Sequence, residues 1–140
     1  MRREDFTTDV DSDEPTPRLT VTFDGAPETL RDRLATGGEP PEASDLDVTY
    51  RRTPTDDPGV LGVTDRLTGE FVFEAPLEES ALRSLVEATN RLAEGDRHYL
   101  LRIEPGDGDL IEFEKETLLV YDAEGSLNRE QSLIPGGVEL

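Results

Sequence analysis

One stretch, Val60 to Gly95, restricts the possible folds more than any other: VLGVTDRL, Thr68-Gly69, EFVFEAP, then LEESALRSLVEATNRLAEG. It reads as strand, tight turn, strand and long amphipathic helix. On strand spacing Phe71, Phe73 and Ala75 share one face, and Leu61, Val63 and Leu67 share one on the partner. A two-residue loop at Thr68-Gly69 would set Phe71 against Arg66 and Phe73 against Thr64. A three-residue loop, Leu67-Thr68-Gly69, sets Phe73 against Val63 and Ala75 against Leu61. A slip of one residue exchanges the two faces, so the apolar pattern selects the three-residue loop. That loop is a type I turn closed by a left-handed residue, the role of Gly69.

The helix is expected to start near Pro76, a residue tolerated in a first turn, with Glu78 and Glu79 at its positive end. Leu82, Leu85, Val86, Thr89, Leu92 and Ala93 form one stripe at helical spacing. Glu79–Arg83 and Glu87–Arg91 are favourable pairs one turn apart on the outer side, and Gly95 ends the helix.

Earlier in the chain, Leu19, Val21 and Phe23 alternate with threonines, as on a half-buried strand. Asp24 to Pro27 opens a short helix with Leu30 and Leu34 on one side, and Gly37-Gly38 ends it. Leu46, Val48 and Tyr50 face one way on the next strand. After the central unit, Tyr99, Leu101 and Ile103 alternate, a turn at Pro105 to Gly108 follows, and Ile111 and Phe113 lie on the returning strand. Thr117 to Asp122 is apolar on both faces and is placed centrally in the sheet. Asp122-Ala-Glu-Gly125 has the composition of a type I turn. Ser126 to Ile134 is read as a polar edge strand.

The resulting order is β-α-β-β-β-α-β-β-β-β. It implies an α+β fold: a two-layer, mainly antiparallel sheet of about seven or eight strands with two helices packed on one face. Residues 1–17, rich in Asp and Glu, are read as a mobile acidic arm in which only Phe6 and Val10 could pack, leaving residues 18–140 as one domain.

Charge speaks to environment. The 140 residues carry 33 acids against 14 bases, a formal charge of −19, with only 34% hydrophobic residues. Such a balance is typical of disordered chains, yet apolar periodicity persists from Leu19 to Ile134. The acids lie between the apolar positions, as in a solvated shell around a small core. That arrangement suits a halophilic cytoplasmic protein, whose self-repulsion is screened by concentrated salt. Lys115 is the only lysine among the bases. The longest apolar runs are far too short for a membrane span, and no apolar core follows Met1-Arg2-Arg3 as a signal peptide requires.

The segments MRREDF, VTDRLTGEF, LLVYD and SLIPGGVEL, together with this acidity, resemble a small haloarchaeal family of unknown function. The resemblance implies the saline environment and no particular chemistry.

Chemical motifs fail one by one. There is no cysteine, which excludes thiolate metal sites, disulfides and cysteine nucleophiles. His98 is the only histidine and has no assignable ligand partners, and no serine lies in a Gly-x-Ser-x-Gly elbow. Asp9-Val-Asp-Ser-Asp13 opens like a calcium loop but has Glu14 where Gly is required and Thr20 where Glu is required. Neither Gly59-x-x-Gly62 nor Gly106-x-Gly108 precedes a helix as a phosphate loop does. No catalytic, cofactor-binding or metal residue is therefore assigned, and the acidity opposes nucleic-acid binding.

What remains is a small non-catalytic interaction or accessory module. Its candidate contact residues are Arg51, Arg52 and a nearby Arg66, which could dock a carboxylate, and the apolar Val138 and Leu140. The same arginines could instead be neutralised by Asp47, Asp56, Asp57 and Asp65. The other reading is an enzyme or small-ligand protein with a pocket between sheet and helices, built from Tyr50, Tyr99 and Tyr121.

The charge generates a first prediction. Folding is expected to weaken as salt falls from molar concentrations to about 0.1 M, where the Debye length reaches about 10 Å. Circular dichroism melts across that series measure it, and stability unchanged or higher at the low end refutes the halophilic reading.

Overall fold

Two helices cannot cover one eight-stranded sheet. Helices about 10–12 Å across shield only about half of eight strands spaced about 4.8 Å apart. The computed structural model resolves this by dividing the strands. It describes residues 3–13, 15–34, 42, 45–54, 58–66, 68–93, 96–105 and 110–134. In chain order the strands are β1 (Phe6–Asp11), β2 (Arg18–Phe23), β3 (Leu46–Arg51), β4 (Gly59–Asp65), β5 (Phe71–Leu77), β6 (Tyr99–Glu104), β7 (Ile111–Lys115) and β8 (Leu119–Tyr121). Helix α1 (Pro27–Leu34) follows β2, and α2 (Glu79–Asn90) follows β5. The fold is α+β as expected, but the strands form two four-stranded mixed sheets rather than one, β1-β2-β6-β7 and β5-β4-β3-β8. Within them β2 runs parallel to β6 and β3 parallel to β8, and the other neighbours are antiparallel.

Both helical connections change sheet: β2-α1-β3 leaves the first for the second, and β5-α2-β6 returns. One core therefore serves both sheets. Leu19, Val21, Leu101 and Ile103 enter it from the first, Val48, Tyr50, Leu61 and Val63 from the second, and Leu30, Leu34, Leu82 and Leu85 from the helices.

The acidic segment expected to lie outside the domain supplies β1 instead. Phe6 is buried and stacks on Phe73 of β5, with ring centroids 4.9 Å apart, and tilts against Phe23 of β2 at the same distance. The register of β1 sends Thr7, Asp9 and Asp11 to the face of Thr22, Thr20 and Arg18, leaving Phe6, Thr8 and Val10 on the core side. Acids thus share one face of a strand whose other face carries Phe6, Thr8 and Val10.

The hairpin keeps the expected core register, Val63 opposite Phe73 and Leu61 opposite Ala75, and Gly69 has φ of 75°. The path differs. Asp65 N donates to Glu70 O, and Thr64 lies opposite Phe71, so a bulge at Val72 absorbs one residue between the turn and the core pairs. Phe71 therefore does not share the face of Phe73. Pro76 also departs from expectation. It is a strand residue of β5, at the edge of its sheet, where a missing N–H is tolerated. Helix α2 starts after Glu78 and buries Leu82, Leu85, Val86 and Thr89, while Leu92 and Ala93 follow its end. The pairs Glu79–Arg83 and Glu87–Arg91 form at 2.9 and 3.7 Å.

Strand β8 lies at a sheet edge rather than centrally, and its outer side is occupied by the following chain. Leu118 and Leu133 exchange backbone hydrogen bonds, Asn128 N donates to Val120 O, and the Ser132 hydroxyl accepts from Val120 N. Ser126 to Ile134 makes only isolated bridges there, at Leu127 and Leu133, instead of the expected strand. The turn at Asp122–Gly125 forms as expected, with Gly125 N donating to Asp122 O and Gly125 at φ 86°. Leu67, Gly95, the expected turn at 106–108, the Gly37-Gly38 stop and the 135–140 tail lie outside the described residues.

Two glycines test this account. A Cβ on Gly59 would stand 2.1 Å from the hydroxyl of buried Tyr50, whereas one on Gly69 would meet nothing within 4 Å. Gly59→Ala is expected to cost about 3 kcal/mol through overpacking and Gly69→Ala about 1 kcal/mol through its left-handed backbone alone. Urea titrations of the two variants measure the difference, and equal losses contradict the packing at Tyr50.

Candidate functional site: the outer face of the second sheet

The two sheets turn very different outer faces to solvent. On the first, β1, β2, β6 and β7 present Asp11, Arg18, Thr22, Arg102, Glu104 and Glu112, which pair among themselves. Arg18–Asp11 is 3.6 Å, Arg102–Glu112 is 3.1 Å, and Thr22 donates to Glu104 across 3.3 Å. This is a self-paired surface, although Arg102 Nε approaches Glu112 without hydrogen-bond geometry.

On the second sheet the register builds three cross-strand rows. Pro76, Val60, Arg51 and Tyr121 form one, and Glu74, Gly62, Thr49 and Leu119 the next. Phe71, Thr64 and Asp47 form the third. The bulge at Val72 places Val72 and Phe73 consecutively in the core and turns Phe71 outward, leaving it 52% exposed. Its ring leans onto the bare backbone of Gly62, where a Cβ would lie 3.2 Å from Phe71 Cε1 and 3.1 Å from Thr49 Oγ1. Beside it is a depression of about 250 Å³ lined by Thr49, Arg51, Val60, Gly62, Phe71, Glu74, Tyr121 and Gly125. The Arg51 side chain is half exposed and only loosely paired with Glu74, at 3.9 Å. An aromatic platform, a glycine floor and a weak ion pair thus adjoin on one open sheet face.

The sequence-derived arginines do not assemble into one cluster. Arg51 and Arg66 lie at opposite ends of the β3–β4 ladder, since Arg51 is opposite Val60 and Leu46 opposite Asp65. Arg66 is bound through Nε and Nη2 to Asp47 Oδ1, at 3.0 and 2.6 Å, which raises the pKa of its guanidinium. Arg52 pairs through Nε with Glu79 of α2, which also holds Arg83 at 2.9 Å. The hydrogen bond from Arg52 holds the Glu79 carboxyl below the usual carboxylate range. Of the three, Arg51 alone lines the depression. Asp56, Asp57, Val138 and Leu140 lie outside the described residues.

The three tyrosines do not converge on a pocket. Tyr50 donates to Leu77 O at 3.2 Å and Tyr99 to Thr117 O at 2.9 Å, both inside the core, and only Tyr121 reaches the outer face. His98 Nδ1 donates to Asp96 O across 2.9 Å. Among the described residues no three of His, Asp or Glu gather as a metal site would need, and no helix is long and apolar enough to cross a membrane. Lys115, noted in the sequence only as the sole lysine, is buried on the core side of β7, and its Nζ donates to Leu46 O at 2.6 Å, linking the sheets. Desolvation, helped by the nearby Arg66, pulls its amine below the ordinary lysine value.

A family model described as a family of unknown function, DUF5793, matches residues 1–140. The chain belongs to the DUF5793 family. No curated protein matches it, and no solved structure does. The outer face is therefore read from the geometry of this DUF5793 chain alone.

Burial also sets a pH dependence. Desolvation raises the hydroxyl pKa of Tyr99, and of Tyr50, above the ordinary tyrosine value. The folded pKa exceeds the unfolded one, so this stabilisation is complete below about pH 10 and is lost as pH rises beyond it. Lys115 acts oppositely, its depressed pKa favouring folding as pH approaches the ordinary lysine value. Melts between pH 8 and 11 are expected to show stability falling above about pH 10, with Tyr99→Phe reducing the fall. An unchanged slope in that variant removes Tyr99 as its cause.

Proposed function

We propose that this chain is a non-catalytic protein-interaction module that receives its partner on the outer face of the β5-β4-β3-β8 sheet. The observation that carries the reading is Phe71. A large aromatic ring held outside the core by a bulge, over a glycine, contributes little packing to its own fold. It has the character of an interface anchor, since the residues that dominate binding are aromatic side chains and arginines set in shallow pockets. The depression beside it fits one apolar side chain of a partner, and Arg51 and Glu74 supply a donor and an acceptor at its rim. The acidic shell of the rest of the surface, with a net charge of −19, is the complement: it suits a protein working in concentrated salt, where charge no longer steers association and apolar contact dominates.

Phe71→Ser tests this on the intact protein. Its melting temperature is expected to stay near that of the wild type, because the ring is half exposed. Binding to partners captured from the source cells in high salt, and then purified, is expected to weaken by about 2 kcal/mol, about thirtyfold. Thr20→Ala on the first sheet serves as the control and is expected to bind normally. Partners retained equally by both variants overturn the assignment of this face.

A further inference from the structure

The four sheet edges are not treated alike. On β5, Arg33 donates to Val72 O through Nε and to Phe71 O through Nη2, each at 2.8 Å, and Thr8 Oγ1 of β1 donates to Pro76 O at 2.6 Å. Side chains thus occupy the β5 carbonyls that an added strand would use, Pro76 has no N–H to offer, and β1 and β5 guard each other. The edge of β8 is covered by the 126–133 segment. On β7, by contrast, Ile111, Glu112, Phe113 and Glu114 make no backbone hydrogen bond beyond β6 among the described residues. An unprotected edge is a template for another strand.

We infer that the β7 edge is a second interaction surface, which adds an extended segment of a partner protein with alternating basic and apolar residues. The alternation of β7 dictates that chemistry. Glu112 and Glu114 are exposed on the outer face, while Ile111 and Phe113 face the core side. Glu112 already holds Arg102, but Glu114 makes no ion pair among the described residues. Basic residues of the added strand would lie beside these carboxylates. Its apolar residues would extend the core side past Ile111 and Phe113. A second copy of the chain is a poor occupant. Antiparallel self-pairing centred on Phe113 would set Glu112 of one copy against Glu114 of the other, twice, and like charges directly opposite are destabilising. This surface lies on the other sheet from Phe71, so its fate is independent of the interface proposed above.

The test uses the full chain, at a salt concentration where circular dichroism shows it folded. The probes are an eight-residue peptide alternating valine and lysine, the same peptide with glutamate for lysine, and a lysine peptide N-methylated along one edge. Amide hydrogen exchange followed by NMR is expected to show new protection at Ile111 to Glu114 with the lysine peptide only. Glu114→Lys, a surface change outside the core, is expected to weaken that binding about tenfold. Equal binding of the lysine and glutamate peptides, binding that survives N-methylation, or protection appearing elsewhere than β7 each overturns the proposal. So does a wild-type protein that already dimerises through β7 without peptide.

Discussion

The stacking of Phe6 between Phe23 and Phe73 is the contact on which the two-sheet arrangement rests. With 34% hydrophobic residues the chain cannot fill two separate cores, so both sheets must close over the same one. Phe6 sits where they meet, on an edge strand of one sheet and against an edge strand of the other. The two helical connections do the rest, each carrying the chain across. Lys115 makes a second tie at the far side, its amine reaching from β7 to the carbonyl that begins β3.

Much of this was legible in the sequence, wherever a short-range rule governs. Alternation located β2, β3, β6 and β7, helical spacing located α1 and α2, and turn chemistry located Gly69 and Gly125. The core register of the hairpin was legible too, because only one pairing buries its apolar set. Other features were not. Periodicity says which side chains face inward and is silent about which strands are neighbours, so one sheet and two sheets read alike. The acids of β1 masked a strand whose inward residues, Phe6, Thr8 and Val10, are few and partly polar. Pro76 satisfies the rules for a helix start and for an edge strand equally well, and the long-range contact with Thr8 accompanies the second.

The candidate site shows the same limit more sharply. Phe71-Val72-Phe73 is a run in which either phenylalanine could face the core, and the choice depends on a bulge that no local pattern announces. Composition drew attention to the arginines, because cations are scarce in this chain. Yet scarcity is also why many are already paired: with acids in more than twofold excess, a guanidinium readily finds a carboxylate on its own surface, as Arg18, Arg83, Arg91 and Arg102 do. Arg52 and Arg66 are held in this way, and Arg51 is the loosest of the three because its row contains Val60, Pro76 and Tyr121 rather than an acid. The informative residue was the exposed aromatic, which sequence reasoning had placed inside.

The position of Lys115 has a consequence for how the protein meets reactive molecules. Every other base in the chain is an arginine, so the one lysine amine is held 7% exposed behind β7. Reagents and enzymes that acylate, methylate or crosslink lysines find almost nothing to modify on the folded surface. Modification of Lys115 requires its hydrogen bond to Leu46 O to break and the amine to leave the core side of β7, which makes its rate of acylation a measure of opening there. A surface whose cationic side chains are guanidinium groups offers, in this chemical sense, no lysine amine to amine-directed labelling while the protein stays folded.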